Sequence, residues 1–192
     1  MRLRPASAAL MMLAACTVPD AGPLIGSDDL SRTDIEAAAQ DSRMDAPPPL
    51  PAPGPADFVL VGEEQLDHEV KLLNLSCSVG TFQSLLAAPV KAYLRAADRD
   101  GSLQPAPDAR VLDIVDVRTL ARSYSTATFA SEARFDIELD LILTNPGSVP
   151  RPVAIRRTLL AAAGMTNCSS IARGLSVANL HIAAEIAGLA SE

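Results

Sequence analysis

Three thiols, two imidazoles and a short ladder of carboxylates are the side chains of this 192-residue sequence whose types suit chemistry: Cys16, Cys77 and Cys168, His68 and His181, and Asp136, Glu138 and Asp140. Their spacing argues against most of that chemistry. The histidines lie far apart and outside any H-E-x-x-H pattern, and the cysteines and histidines together do not make a zinc signature. Neither G-x-S-x-G nor G-x-x-x-x-G-K-[ST] occurs, so hydrolase and P-loop chemistries have no motif to rest on. The three carboxylates alternate with apolar residues, and an exposed sheet face accounts for them without a bound cation. No metal and no cofactor is expected, and the chain is read as a non-enzyme.

Cys16 differs because of what precedes it. Residues 1–16 read MRLRPASAALMMLAAC: Arg2 and Arg4 make a positive start, Ala6 to Ala15 an apolar stretch of ten residues, and small residues lead directly into the cysteine. Leu13, Ala14, Ala15 and Cys16 resemble the lipobox of bacterial lipoproteins. The resemblance implies cleavage before Cys16 and diacylation of its sulfur, with residues 1–15 removed as the signal peptide. Two or three acyl chains, at about 0.8 kcal/mol per buried CH₂, give stable anchoring where one chain binds reversibly. Thr17 follows the cysteine, where an aspartate would favour retention in the inner membrane. Its absence favours the outer membrane, facing the periplasm; the outer leaflet of the inner membrane is the alternative. No run of 18 apolar residues occurs, so a transmembrane helix is excluded.

After the cysteine the composition changes. Residues 16–56 read as an acidic tether with eight of the fifteen prolines, including PPPLPAPGP at 47–55. Proline lacks an N–H and fixes φ, which forbids a helix or central strand there, and a solvated linker of roughly 35 Å end-to-end distance is expected. Charge follows the same division. The net charge is -7, but residues 17–69 hold 12 acidic and 2 basic side chains, whereas residues 70–192 hold 11 and 12. Export and an acidic average both argue against a nucleic-acid partner. The near-neutral domain leaves Arg118, Arg122, Arg156 and Arg157 as candidate contacts for an anionic partner or lipid.

Residues 57–192 carry the patterns of a folded domain, and at 48% hydrophobic the chain is too apolar for full disorder. VKLLNLSC (70–77) reads as a strand, with Phe58 to Val61 as a short strand or lead-in. Apolar residues at helical spacing from Phe82 to Ala97 predict a helix over 81–98, which Pro89 should kink or split. QPAPDA (104–109) reads as a loop, VLDIVDV (111–117) as a strand that continues towards Phe129. Phe135, Ile137, Leu139, Leu141 and Leu143 alternate with polar residues and predict a strand with one buried face. NPG at 145–147 turns the chain into a further strand around Val153 and Ile155. Ile171, Leu175, Ala178, Ile182, Ile186 and Leu189 form the stripe of a closing helix. The order β-α-β-β-β-α predicts an α+β fold, a four-stranded, mostly antiparallel sheet with two helices on one face. In that topology Cys77 and Cys168 fall at the same end, and an oxidising periplasm makes a disulfide between them the expectation.

The signal through Cys16, the proline-rich tether and this element order are together similar to small envelope lipoproteins: the lipopolysaccharide-transport lipoprotein, the YajG-like lipoproteins and the auxiliary lipoproteins of lipid-transporting ABC systems. The resemblance implies a non-enzymatic accessory that docks on an envelope protein or handles an amphiphile. The alternative is a periplasmic module for a small ligand or peptide.

Overall fold

The alternation at 135–143 folds as it reads. In a computed structural model of the chain, which describes residues 36–37, 39–40, 43–52, 55–67, 69–73, 86–97, 105–125, 131–161 and 168–191, strand β5 (Ser131–Thr144) buries all five of those apolar side chains. It pairs antiparallel with β4 (Pro105–Ser125) on one side and β6 (Arg151–Ala161) on the other. The turn into β6 closes with the Ser148 N–H donating to the Asn145 carbonyl at 3.0 Å, and Gly147 takes φ +74 there. Cys16, with the rest of residues 1–35, His68 and Cys77 lie outside the described residues. Among the described residues no helix is long and apolar enough to cross a membrane.

The other half of the sheet corrects the expected topology. Strands β1 (Ala56–Val61) and β2 (Lys71–Leu73) both run parallel to β4, end to end along its edge, and β3 (Ala96–Ala97) runs parallel to β1 outside it. The sheet is therefore mixed, with five strands in the path β3-β1-β4-β5-β6 and β2 attached to β4 beyond β1. It is neither four-stranded nor mostly antiparallel. The reason is the helix between β1 and β4: a strand-helix-strand connection brings the chain back to start the next strand in the same direction. Between β1 and β2 a 3-10 turn (Glu63–Asp67) takes up the residues by which this edge outruns β4.

Strand β4 is a single strand where a loop and a separate strand were expected. Pro105 and Pro107 do not interrupt it, because the β5 ladder reaches only to Val111 and the prolines lose no hydrogen bond on that side. A bulge at Val115 shifts its register. Before the bulge Leu112 and Ile114 are buried; after it Val117, Thr119 and Ala121 are. The extra residue changes which parity faces the core.

Helix α1 (Ala87–Leu94) begins just ahead of Pro89, so the proline occupies the first turn, where its missing N–H costs nothing, and no kink follows. Arg95 ends the helix in the left-handed conformation, short of the expected end at 98. Helix α2 (Cys168–Ser191) carries the expected stripe. Glu185, at the flank of that stripe, receives both Arg157 Nε at 2.8 Å and Arg157 Nη2 at 2.6 Å, which sets the stripe against the sheet. Yet Val177 and Leu180, on other sides of the helix, are also fully buried. Helix α1 packs against α2, and part of the stretch expected as solvated tether joins the core as well. Ala39 joins the core there, Met44 and Leu50 pack against it, and Pro47 is buried. The linker expectation is thus corrected for this part.

Candidate functional site

One face of the sheet holds the helices; the other is open and carries most of the candidate arginines. Partners across β-ladders share a face, so the registers spell out its rows. The outermost row is Leu73, Arg122, Arg134 and Leu160, from β2 to β6. Next come Lys71, Leu120, Asp136 and Thr158, and then Arg118, Glu138 and Arg156. All of them but Leu73 and Leu160 line a shallow depression of about 640 Å³.

Charges within the depression are unevenly matched. Arg118 Nε meets Asp116 at 2.9 Å, and Arg156 Nη2 meets Asp140 at 2.6 Å while its Nη1 donates to the Leu139 carbonyl at 2.7 Å. The Asp140 carboxylate, hydrogen-bonded to Arg156, raises that guanidinium's pKa further, so Arg156 is held as a cation. Arg134 Nε donates to Asp136 at 2.8 Å, and Thr158 Oγ1 donates to the same oxygen at 2.7 Å. Partial burial of Asp136 works to raise its pKa, but the bonds from Thr158 and Arg134 and the nearby charge of Arg122 outweigh that and hold it below the usual carboxylate value.

Arg122 is the exception. Its Nε is buried without a hydrogen-bond partner, and it stands directly opposite Arg134, a like-charge pairing that costs stability. Lys71 adds a third cation one row away. Leu73 and Leu160, 44% and 58% exposed, sit at the two ends of the Arg122–Arg134 row. The row thus offers surplus positive charge at its centre and apolar surface at both ends, an arrangement suited to an anionic group attached to hydrocarbon.

Of the four arginines singled out from the sequence, the structure brings Arg118, Arg122 and Arg156 together on the open face. Arg157 also borders the depression, but its guanidinium is engaged by Glu185 of α2 in an ion pair at 2.6 Å. Arg156 meets the acidic ladder of β5 at Asp140. Lys71 and the two exposed leucines were not in the candidate set. Only the register of β2 and β6 against the central hairpin reveals them. Among the described residues no cluster of His, Cys, Asp and Glu forms a metal-ligand set. His181 lies on α2 and bonds a backbone carbonyl, that of Asp45, at 2.7 Å. Cys168 opens α2, and its expected partner Cys77 lies outside the described residues.

No protein-family model and no curated protein matches this sequence. Among solved structures it is similar to a minor lipoprotein from Acinetobacter baumannii, at 12% identity and a TM-score of 0.39 over 72% of this chain and 93% of that one. It is also similar to rare lipoprotein B from Shewanella oneidensis, at 13% identity and a TM-score of 0.38 over 70% and 89% of the two chains. Both likenesses are partial overlaps of chain trace at low identity, and the site described above stands on its own residues.

Proposed function

We propose that this chain is a lipid-anchored envelope protein that acts without catalysis, as an accessory in envelope assembly or in the transport of an anionic amphiphile. The anchoring rests on the resemblance of Leu13 to Cys16 to a lipobox. The observation that carries the amphiphile is the Arg122–Arg134 row with exposed Leu73 and Leu160 at its ends. Two adjacent guanidinium groups, Arg134 sharing its charge with Asp136 and Arg122 with its Nε unpartnered, suit a phosphate, which arginine binds through paired N–H donors, and the leucines suit its alkyl chain. The outer membrane, facing the periplasm, is the proposed location.

Two measurements test the reading. If Cys16→Ala still fractionates with membranes, the anchor is wrong. The soluble Cys16→Ala protein, titrated with dodecyl phosphate below its micelle concentration, should show a thermal shift that uncharged dodecyl maltoside does not produce. Arg122→Glu with Arg134→Glu should weaken dodecyl phosphate binding about tenfold, the loss of one to two charge-assisted contacts. Equal shifts with both detergents, or binding indifferent to the charge reversal, would remove the arginine row as the site. The eleven-residue edge strand β6 favours a second reading, peptide capture by strand addition, which predicts binding that survives the charge reversal.

A further inference from the structure

Residues 43–52 pack on the helices in a regular way. Met44 and Leu50 are half-buried and Pro47 is buried, while Asp45, Ala46, Pro48 and Pro49 between them are exposed. An inward residue at every third position is neither the period of a strand nor that of an α-helix. It is the period of polyproline II, which has three residues per turn. Such a segment has few N–H groups and presents carbonyl oxygens, so whatever recognises it must donate.

The groups facing this segment do donate. His181 Nε2 of α2 meets the Asp45 carbonyl at 2.7 Å, where only a donated proton makes a bond. The Tyr93 hydroxyl of α1 donates to the Pro48 carbonyl, and Arg95 Nη1, at the end of α1, donates to the Ala52 carbonyl at 3.5 Å. Two of these acceptors, Asp45 and Pro48, are one polyproline turn apart. Arg95 is itself fixed by an ion pair with Asp57 at the start of β1. At its other end the segment leaves a turn closed by the Met44 N–H, which donates to the Ala39 carbonyl at 3.0 Å, with Arg43 left-handed at φ 50. An aromatic hydroxyl and further donors aligned on a proline-rich strand are the chemistry of a polyproline-II groove.

We infer that the surface formed by α1 and α2 is a polyproline-II recognition groove, filled by the chain's own residues 44–52, and that the segment docks and undocks as a strap separately from the folding of the sheet and helices. Three side-chain hydrogen bonds and the inward side chains of Met44, Pro47 and Leu50 hold it, with no strand or helix ladder of its own, the make-up of a unit that opens locally. One consequence rests on the proposed anchor at Cys16: undocking residues 44–52 adds up to about 28 Å of reach to the tether, at 3.1 Å per residue. The groove itself does not depend on that reading.

The chain has no tryptophan, so Leu50→Trp places a single reporter in the strap. In the soluble Cys16→Ala background its fluorescence should be quenched by acrylamide several-fold less than that of the free peptide of residues 44–55 carrying the same change. Adding Tyr93→Phe and His181→Ala should raise quenching to the peptide value while the melting temperature stays within about 2 °C. Pro48→Ala, which removes an exposed ring and keeps the carbonyl, should raise it about twofold by loosening the free segment. Trypsin cleavage after Arg43 should accelerate in parallel. The inference is overturned if the reporter is quenched like the peptide in the parent protein. It is equally overturned if shielding survives the double substitution, or is lost only together with global melting. Shielding that depends on protein concentration would place the strap on a second copy and overturn its binding in cis. Membrane fractionation of Cys16→Ala tests the anchor alone, so the two readings fail separately.

Discussion

Two glycines with similar backbone angles carry different loads. Gly62 follows β1 with φ +70, and a Cβ there would lie 2.3 Å from the Ile114 carbonyl oxygen. That oxygen cannot retreat cheaply, because Ile114 is paired with Leu141 in the central ladder. Gly147, at φ +74 in the β5–β6 turn, would place its Cβ in open space. Gly147→Ala should therefore cost only the left-handed conformation, about 1 kcal/mol, and Gly62→Ala should cost about 2 to 3 kcal/mol or more. Urea midpoints of the two variants check this, and equal losses would refute the steric account. Asp136 gives a prediction of a different kind. Its pKa is depressed in the folded state by Thr158 and Arg134 against its partial burial. Its contribution to stability is then complete above the ordinary value of 3.8 and is lost as pH falls below that through the folded-state value. Asp136→Asn should be less stable than the parent at pH 6, with a gap that narrows between about pH 4 and 2.

At the scale of elements, α2 is buried more completely than a helix lying on a sheet requires. Leu180 is on the side opposite the Ile171–Ile186 stripe, yet its exposure is 0%. Leu180→Ala should cost about 2 to 5 kcal/mol in a denaturation experiment, the range for a core leucine; under 1 kcal/mol would mean that this side is not core. The sequence made the stripe legible because its large apolar residues repeat at three and four. The far side was hidden, because its burial depends on how α1 packs against α2, which no periodicity within α2 encodes. Strand β5 was legible from Phe135 on, since every second residue there is apolar, while its start at Ser131 was not. In β4 the bulge at Val115 breaks the alternation between Ile114 and Val117, and no single period fits both halves. The arginine row was only half legible for a related reason. Arg122 and Arg134 face each other through a ladder register, and register is a property of two strands rather than of either one. The parity of β6 likewise decides that Arg156 joins the open face while its neighbour Arg157 pairs with Glu185 of α2.

Across the whole molecule, charge and chain direction arrange the parts about the sheet. Residues 43–52 lie on the helix side, where the Asp45 carbonyl meets His181, and the surplus arginines lie on the opposite, open face. The same directions bear on Cys77 and Cys168. Strand β2 ends at Leu73 and β6 reaches Leu160, and both belong to the row of Arg122 and Arg134, so the chain leaves the two strands at one end of the sheet. Cys77 follows the first exit by four residues and Cys168 follows Leu160 by eight. A bridge between them would close a loop of 92 residues and stabilise the fold by up to about 4.6 kcal/mol in the chain-entropy model. The expected outcome is an intact mass about 2 Da lower without reductant than with it, and a lower melting temperature after reduction. Since the bridge would tie down the end that carries Arg122 and Arg134, reduction should also weaken dodecyl phosphate binding while leaving the Leu50→Trp strap reporter unchanged. Two free thiols in the oxidised protein would refute the bridge. Equal effects of reduction on strap and arginine row would show that the two ends of the molecule do not respond independently.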